Sequence, residues 1–249
     1  KGDARDTVAV IDKARRLTPG ESGSVASCLK RRIAGEPLAY ILGSCEFMGL
    51  EFTTDPRALI PRPETELLAE AAIRYAGGFA APVIADIGTG SGAIAVSLAK
   101  FLPSAKIIAG DISAAALRLA EENASRNGMG GRVVFVRSDL LSGVRACSCD
   151  MIVTNPPYIV SREIDGLEPE VRREPRQALD GGEDGLHFYR RICAEAPRCL
   201  RPGGLLLMEV GAGQCAPVKA IIEGSGLLRL KEVREDYSAI ERIVVAVRE

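Results

Sequence analysis

The chain has 249 residues, with 32 Lys and Arg against 33 Asp and Glu and a single His, and a formal net charge of −1, so no global pull draws it to nucleic acid or acidic membranes. Hydrophobic residues at 47% and charged residues at 26% exclude a disordered or fibrous chain, and the length suits one large domain or two unequal ones. One His and seven scattered cysteines without a C-x-x-C pair exclude a Cys/His zinc set of the usual kind; the cysteines fit reduced packing residues of a cytoplasmic protein, and no metal is expected.

In chain order, the charged start Lys1–Asp6 has no apolar signal core behind it, which predicts no secretion, and Lys1 in place of an initiator Met predicts a missing N-terminus. Val8, Ile11, Ala14 and Leu17 recur at helical spacing; Thr18-Pro19-Gly20 breaks the pattern, and Val25, Cys28, Leu29 and Ile33 resume it. Each helix has one apolar stripe, expected to pack on the other helix or on the next part of the chain. Residues 45–60 predict a hairpin turning at Gly49, and Pro61 and Pro63 bracket the start of a helix running to about Tyr75.

From Pro82 strands and helices alternate. Strands are predicted at Val83–Ile87, Lys106–Gly110, Arg132–Val136, Met151–Thr154, Leu205–Val210, Leu227–Val233 and Ile243–Val247. Helices are predicted at Ala93–Phe101, Ala114–Asn127, Leu186–Leu200 and Pro217–Glu223. Short apolar strands separated by amphipathic helices make a doubly wound α/β sheet covered on both faces. About ten residues join the last two strands, too few for a helical crossover, so that pair is expected antiparallel. No apolar stretch is long enough to span a bilayer, because Val83–Leu102 is interrupted by Asp86, the glycines and Lys100.

Asp86-Ile87-Gly88-Thr89-Gly90-Ser91-Gly92 falls between the first of these strands and its helix, where doubly wound sheets bind ligands. Gly88, Gly90 and Ala93 also satisfy a dinucleotide fingerprint, with Asp111 at the distance of a ribose-binding acid, so a nicotinamide cofactor competes here with S-adenosylmethionine. Asp86 favours the latter, since a carboxylate there can answer its cationic amino-acid end. Asp111 would accept from ribose hydroxyls in either case, and Asp139-Leu140 would flank an adenine.

Asn155-Pro156-Pro157-Tyr158 decides between them. Prolines fix φ and offer carbonyls without N–H groups of their own. The Asn155 side-chain oxygen and the Pro156 carbonyl can accept both hydrogens of a planar –NH₂, whose delocalised lone pair makes it a poor nucleophile. Holding both N–H bonds aims the nitrogen at a methyl group and stabilises the charge that develops on it. Tyr158 would wall the acceptor. Neither a metal nor a His base is required.

With Gly35–Gly43, Leu59-Ile60-Pro61-Arg62-Pro63-Glu64-Thr65-Glu66, Glu174-Pro175 and Gly181-Gly182-Glu183-Asp184-Gly185-Leu186, these motifs resemble the release-factor glutamine methyltransferase family (the HemK/PrmC type) from about Arg31 onward. The tetrapeptide alone is shared with amino-methylating enzymes of DNA and RNA; the other blocks are more specific. The resemblance implies methyl transfer from S-adenosylmethionine, leaving S-adenosylhomocysteine, to the glutamine side-chain nitrogen in the Gly-Gly-Gln loop of peptide-chain release factors. It implies that Gly88–Gly92, Asp111, Leu140 and Asn155 contact the cofactor, that Asn155–Tyr158 hold the glutamine, and that Leu59 lies against its stem. Three parts are expected: a shortened helical, partner-binding region over 1–44, a hairpin linker over 45–62, and a seven-stranded methyltransferase domain over 63–249. One departure from the family pattern is Ala239 for Gly in Asp236-x-x-Gly-x-x-Arg242, which predicts a locally different turn. The alternative reading is an N6-adenine methyltransferase acting on DNA or RNA. Balanced charge and 4% aromatic residues argue against it, and no direct nucleic-acid substrate is expected.

Overall fold

A computed structural model describes residues 16–249, so nearly all of the helix expected over Val8–Leu17 lies outside the described residues. Thr18 starts a helix rather than breaking one. Its hydroxyl accepts from the Glu21 N–H while the Glu21 carboxylate accepts from the Thr18 N–H, and Pro19 sits in the first turn, where its missing N–H costs nothing. The resulting α1 (Pro19–Ile33) carries the expected stripe, but among the described residues nothing covers it: Leu29 is 55% and Ile33 85% exposed. Polar ties hold the end of α1, through an Arg32–Glu170 ion pair and a bond from Arg173 to the Ala34 carbonyl.

After the short α2 (Leu38–Leu42), β1 (Ser44–Phe47) and β2 (Leu50–Thr53) form the predicted hairpin. Met48 and Gly49 are both left-handed, as a two-residue turn between twisted strands requires. Phe47 and Phe52 meet edge to face at 6.0 Å and are buried in the main core against α3 (Pro63–Ala76), whose Glu66 accepts from the Met48 N–H. The hairpin is thereby built into the body of the fold.

The sheet contains β3 (Val83–Ile87), β4 (Lys106–Asp111), β5 (Val133–Arg137), β6 (Cys149–Thr154), β7 (Leu200–Glu209), β8 (Leu228–Glu235) and β9 (Glu241–Arg248). Its order is β5-β4-β3-β6-β7-β9-β8, with β9 antiparallel to both neighbours and the rest parallel. The antiparallel final pair agrees with the connection length; the insertion of β9 between β7 and β8 was not expected. Helices α4 (Ala93–Phe101) and α5 (Ala114–Arg126) share one layer with α3, and α6 (His187–Cys199) and α7 (Cys215–Gly224) form the other. Ile84 belongs to the first layer and Ala85 and Ile87 to the second, which explains why these strands are apolar without alternation. The chain leaves β3 towards β4 on one side and has β6 on the other, so a crevice opens above the carboxyl ends of β3 and β6. Among the described residues no helix is long and apolar enough to cross a membrane, and no cysteine is in a disulfide.

Candidate active site

The turn after β3 holds Gly88, Gly90 and Gly92 at φ of +72°, +55° and +83°, a conformation that side chains with a Cβ resist. Gly92 has a second constraint, because a Cβ there would stand 2.9 Å from the Ala120 Cβ of α5. The loop is fastened to the end of β4. Gly88 and Thr89 N–H groups donate to the Gly110 carbonyl at 2.8 and 3.0 Å, and the Gly90 N–H donates to Asp111 Oδ2 at 2.9 Å. Asp111 Oδ1 accepts from the Ser113 N–H at 2.9 Å, and burial pushes this carboxyl above its ordinary range.

Asp86 is fully buried beneath the loop. Its Oδ2 accepts from Thr89 Oγ1 at 2.6 Å and from the Ala95 N–H at 3.1 Å, while Oδ1 has no partner. Loss of hydration pushes its pKa up to about 7. Asp86, Thr89, Ser91 and Gly92 therefore shape the loop from below and do not line the crevice.

The crevice is a cavity of about 360 Å³. Gly88, Gly90, Asp111, Asp139, Leu140, Leu59, Asn155, Pro156 and Pro157 all reach its wall, so most of the residues singled out in the sequence converge there. Asp139 is exposed and pairs with Arg191 of α6 at 2.9 Å, and Leu140 is held left-handed at φ +46°. A nucleoside fits this lining: apolar walls at Ile112, Ala116 and Leu140, a carboxylate at Asp111 with lone pairs left for a diol, and backbone free of side chains at the glycines.

Asn155 comes directly after β6. Its Nδ2 donates to Thr65 Oγ1 at 3.0 Å, and Thr65 Oγ1 donates to Glu209 Oε2 at 2.7 Å. Thr65 and Glu209 are buried, and desolvation pushes Glu209 up to about 7 despite the bonds from Thr65 and Asn155 and the charge of Arg242.

Tyr158 departs from expectation. It is outside the cavity wall, half-buried, with its ring against Gly211 and its carbonyl accepting from Gln214 Nε2 at 2.9 Å. A Cβ on Gly181 would stand 2.6 Å from the Tyr158 Cα, and one on Gly185 2.5 Å from its carbonyl oxygen. The Gly181–Leu186 block is thus a backbone cradle behind the tetrapeptide.

Sequence reasoning missed Thr65, Glu209, Gln214, Glu174 and Asn123. Glu174 is buried, accepts from the Ile60 N–H at 2.9 Å and pairs with Arg62, tying the Pro-Arg-Pro block to Glu174-Pro175. Asn123 of α5 bridges the Thr53 backbone and the Ser91 carbonyl, joining hairpin to glycine loop. A carboxylate ending the apolar run Leu205–Val210 was the one local signal for Glu209.

A family profile described as "Methyltransferase small domain" matches residues 65–182. A release factor glutamine methyltransferase from Moorella thermoacetica is 45% identical over 232 residues, covering 93% of this chain and 82% of that protein. Two solved structures share the fold. The hMettl16 catalytic domain in complex with MAT2A 3'UTR hairpin 6 has a TM-score of 0.64 at 18% identity, covering 85% of this chain and 82% of that one. The T. thermophilus 16S rRNA N2 G1207 methyltransferase in complex with AdoMet and guanosine has a TM-score of 0.55 at 20% identity, covering 83% and 50%. Identity of this extent, over nearly all of the chain and most of its relative, goes beyond a shared fold: the chain belongs to the release factor glutamine methyltransferase family.

Proposed function

We propose that this chain methylates the side-chain amide nitrogen of the glutamine in the Gly-Gly-Gln loop of a peptide-chain release factor, in the cytoplasm, with no nucleic-acid substrate of its own. The observation that carries this reading is Asn155: it reaches the cavity at the end of β6, beside Pro156 and across from the glycine loop, with its –NH₂ engaged inward. S-adenosylmethionine, when bound, supplies a methyl group already activated on a sulfonium, so the transfer asks for no metal. Gly88, Gly90 and Leu140 would hold its nucleoside, with Asp111 on the ribose and Asp139 and Leu140 flanking the base. Asp86 acts beneath them by fixing Thr89 and the first turn of α4.

On the acceptor side Asn155 Oδ1 and the Pro156 carbonyl accept the two amide hydrogens. That grip orients the nitrogen and stabilises the positive charge it acquires as the N–C bond forms and the methyl–sulfur bond breaks; one of the two held protons then passes to solvent, leaving a neutral N-methyl amide. Pro157 and Leu59 enclose the glutamine stem and exclude water, while Tyr158, clamped by Gln214 and Gly181, keeps the tetrapeptide rigid. Residues 1–44 would serve as the partner-binding part, 45–62 as the linking hairpin and 63–249 as the catalytic part. Incubation with methyl-labelled S-adenosylmethionine and either a purified release factor or duplex DNA, with peptide mapping of the products, tests the reading. Label is expected on the Gly-Gly-Gln peptide; label on adenine and none on the peptide would overturn it.

A further inference from the structure

An Asn carboxamide has nearly the same shape either way round, yet its two ends do opposite things. With oxygen outward it accepts the hydrogens of another amide; with nitrogen outward it sets donor against donor. Nothing in Asn155 itself chooses. We propose that Thr65 and Glu209 are positioning residues that decide the orientation of the Asn155 carboxamide, so that oxygen and not nitrogen faces the acceptor. The inference rests on the reading of Asn155 as the holder of the acceptor amide.

Ionised, as it is above about pH 7, the Glu209 carboxylate only accepts hydrogen bonds. The single proton of Thr65 Oγ1 therefore points to Glu209 Oε2, 2.7 Å away, and only lone pairs remain for Asn155. The group of Asn155 that lies 3.0 Å from that hydroxyl must then be its donor, Nδ2, and Oδ1 is left on the crevice side. Glu209 and Thr65 are 3% and 5% exposed, so bulk water offers no competing partner that would relax the order. The charge on Glu209 is supported by Thr65, by Asn155 and by the Arg242 guanidinium, against burial and against Glu64.

The topology makes the arrangement specific. Thr154 of β6 pairs with Met208 of β7, so the next residues, Asn155 just past β6 and Glu209 at the end of β7, lie side by side. Thr65 enters from the first turn of α3, ninety residues before Asn155. Three separate elements thus meet in one chain of hydrogen bonds that ends at the cavity wall, and the reacting group is ordered from behind.

The test uses the full chain and its Thr65→Val, Thr65→Ala, Thr65→Ser and Asn155→Ala variants, with methyl transfer to a purified release factor. Affinity for S-adenosylhomocysteine and thermal midpoint are measured alongside. Loss of the hydroxyl in Thr65→Val is expected to lower kcat by roughly tenfold, because the amide, left with Glu209 as its inward partner, spends part of its time in the wrong orientation. Affinity for S-adenosylhomocysteine stays within about twofold, and Thr65→Ser returns kcat to within about threefold of the parent, the hydroxyl being restored. Added to Asn155→Ala, the Thr65→Val change costs nothing more, since the group it orients is gone. Should Thr65→Val not fold, Thr65→Ala against Thr65→Ser gives the same comparison. Unchanged kcat in Thr65→Val beside a collapsed Asn155→Ala would overturn the relay and leave the role of Asn155 standing. Full activity in Asn155→Ala would remove that role itself. Parallel losses of midpoint, cofactor affinity and kcat in Thr65→Val and Thr65→Ser alike would make Thr65 a packing residue and overturn the proposal.

Discussion

Two carboxyl groups under the crevice, Asp86 and Glu209, are pushed in the same direction by the same cause, yet their partners differ. Glu209 has Thr65 and Arg242 to favour its charge; Asp86 has donors on one oxygen and none on the second, which is buried. The folded chain holds a proton on Asp86 up to about pH 7, whereas the unfolded chain releases it near 3.8. The folded state therefore binds the extra proton through that window. Its contribution to stability is full below the unfolded value and is lost as pH rises through about 7. Asp86→Asn, which keeps the shape and removes the titration, should gain roughly 2–3 kcal/mol on the parent between pH 5 and pH 8. Urea unfolding of both proteins at the two pH values measures this; a constant difference would show that Asp86 stays charged in the fold. The glycine loop and the tetrapeptide could be placed at one crevice from the sequence, because each directly follows a strand of the parallel sheet. The partners of Asn155 could not, since they depend on the β6–β7 register and on where α3 enters, and no short stretch of residues encodes either.

The turn from β8 to β9 places a residue with a Cβ in a conformation that favours glycine. Asp236 accepts from the Ser238 and Ile240 N–H groups and from Arg242 Nε at 2.9 Å, and the turn closes. Ala239 stands where the family pattern has Gly, for which a locally different turn was expected, and it adopts the left-handed conformation at φ +58°. The hydrogen bonds of Asp236 outweigh a backbone strain of about 1–2 kcal/mol. Ala239→Gly should relieve that strain at some cost in unfolded-state entropy, for a net gain of about 0.5–1 kcal/mol in a denaturant titration, with methyl transfer unchanged. The remaining elements were legible where periodicity was strong, as in α4, α5 and the strands of the parallel sheet. Residues 161–178, three short 3-10 turns without apolar period, were not, although Glu174 and the wall residues Pro175, Gln177 and Ala178 come from that region.

Across the whole molecule, burial is concentrated from the hairpin onward. α1 contributes no buried side chain among its described residues, and its ties to the rest are the Arg31–Glu36 and Arg32–Glu170 ion pairs and a few polar bonds at its end. A chain beginning at Gly35 should therefore keep its thermal midpoint within a few degrees and its affinity for S-adenosylhomocysteine within about twofold, because exposed ion pairs contribute little. If residues 1–44 serve the partner, the same truncation raises the KM for release factor severalfold; the two assays together separate docking from folding. A different asymmetry sits at the other terminus. β9, the last of the described strands in chain order, is an interior strand of the sheet, flanked by β7 and β8. Without Glu241–Arg248, β7 would present an open apolar edge, and that edge ends in Glu209. A chain lacking β9 should thus expose the β7 edge and loosen the packing around Glu209 together, so a truncation before Glu241 is expected to aggregate.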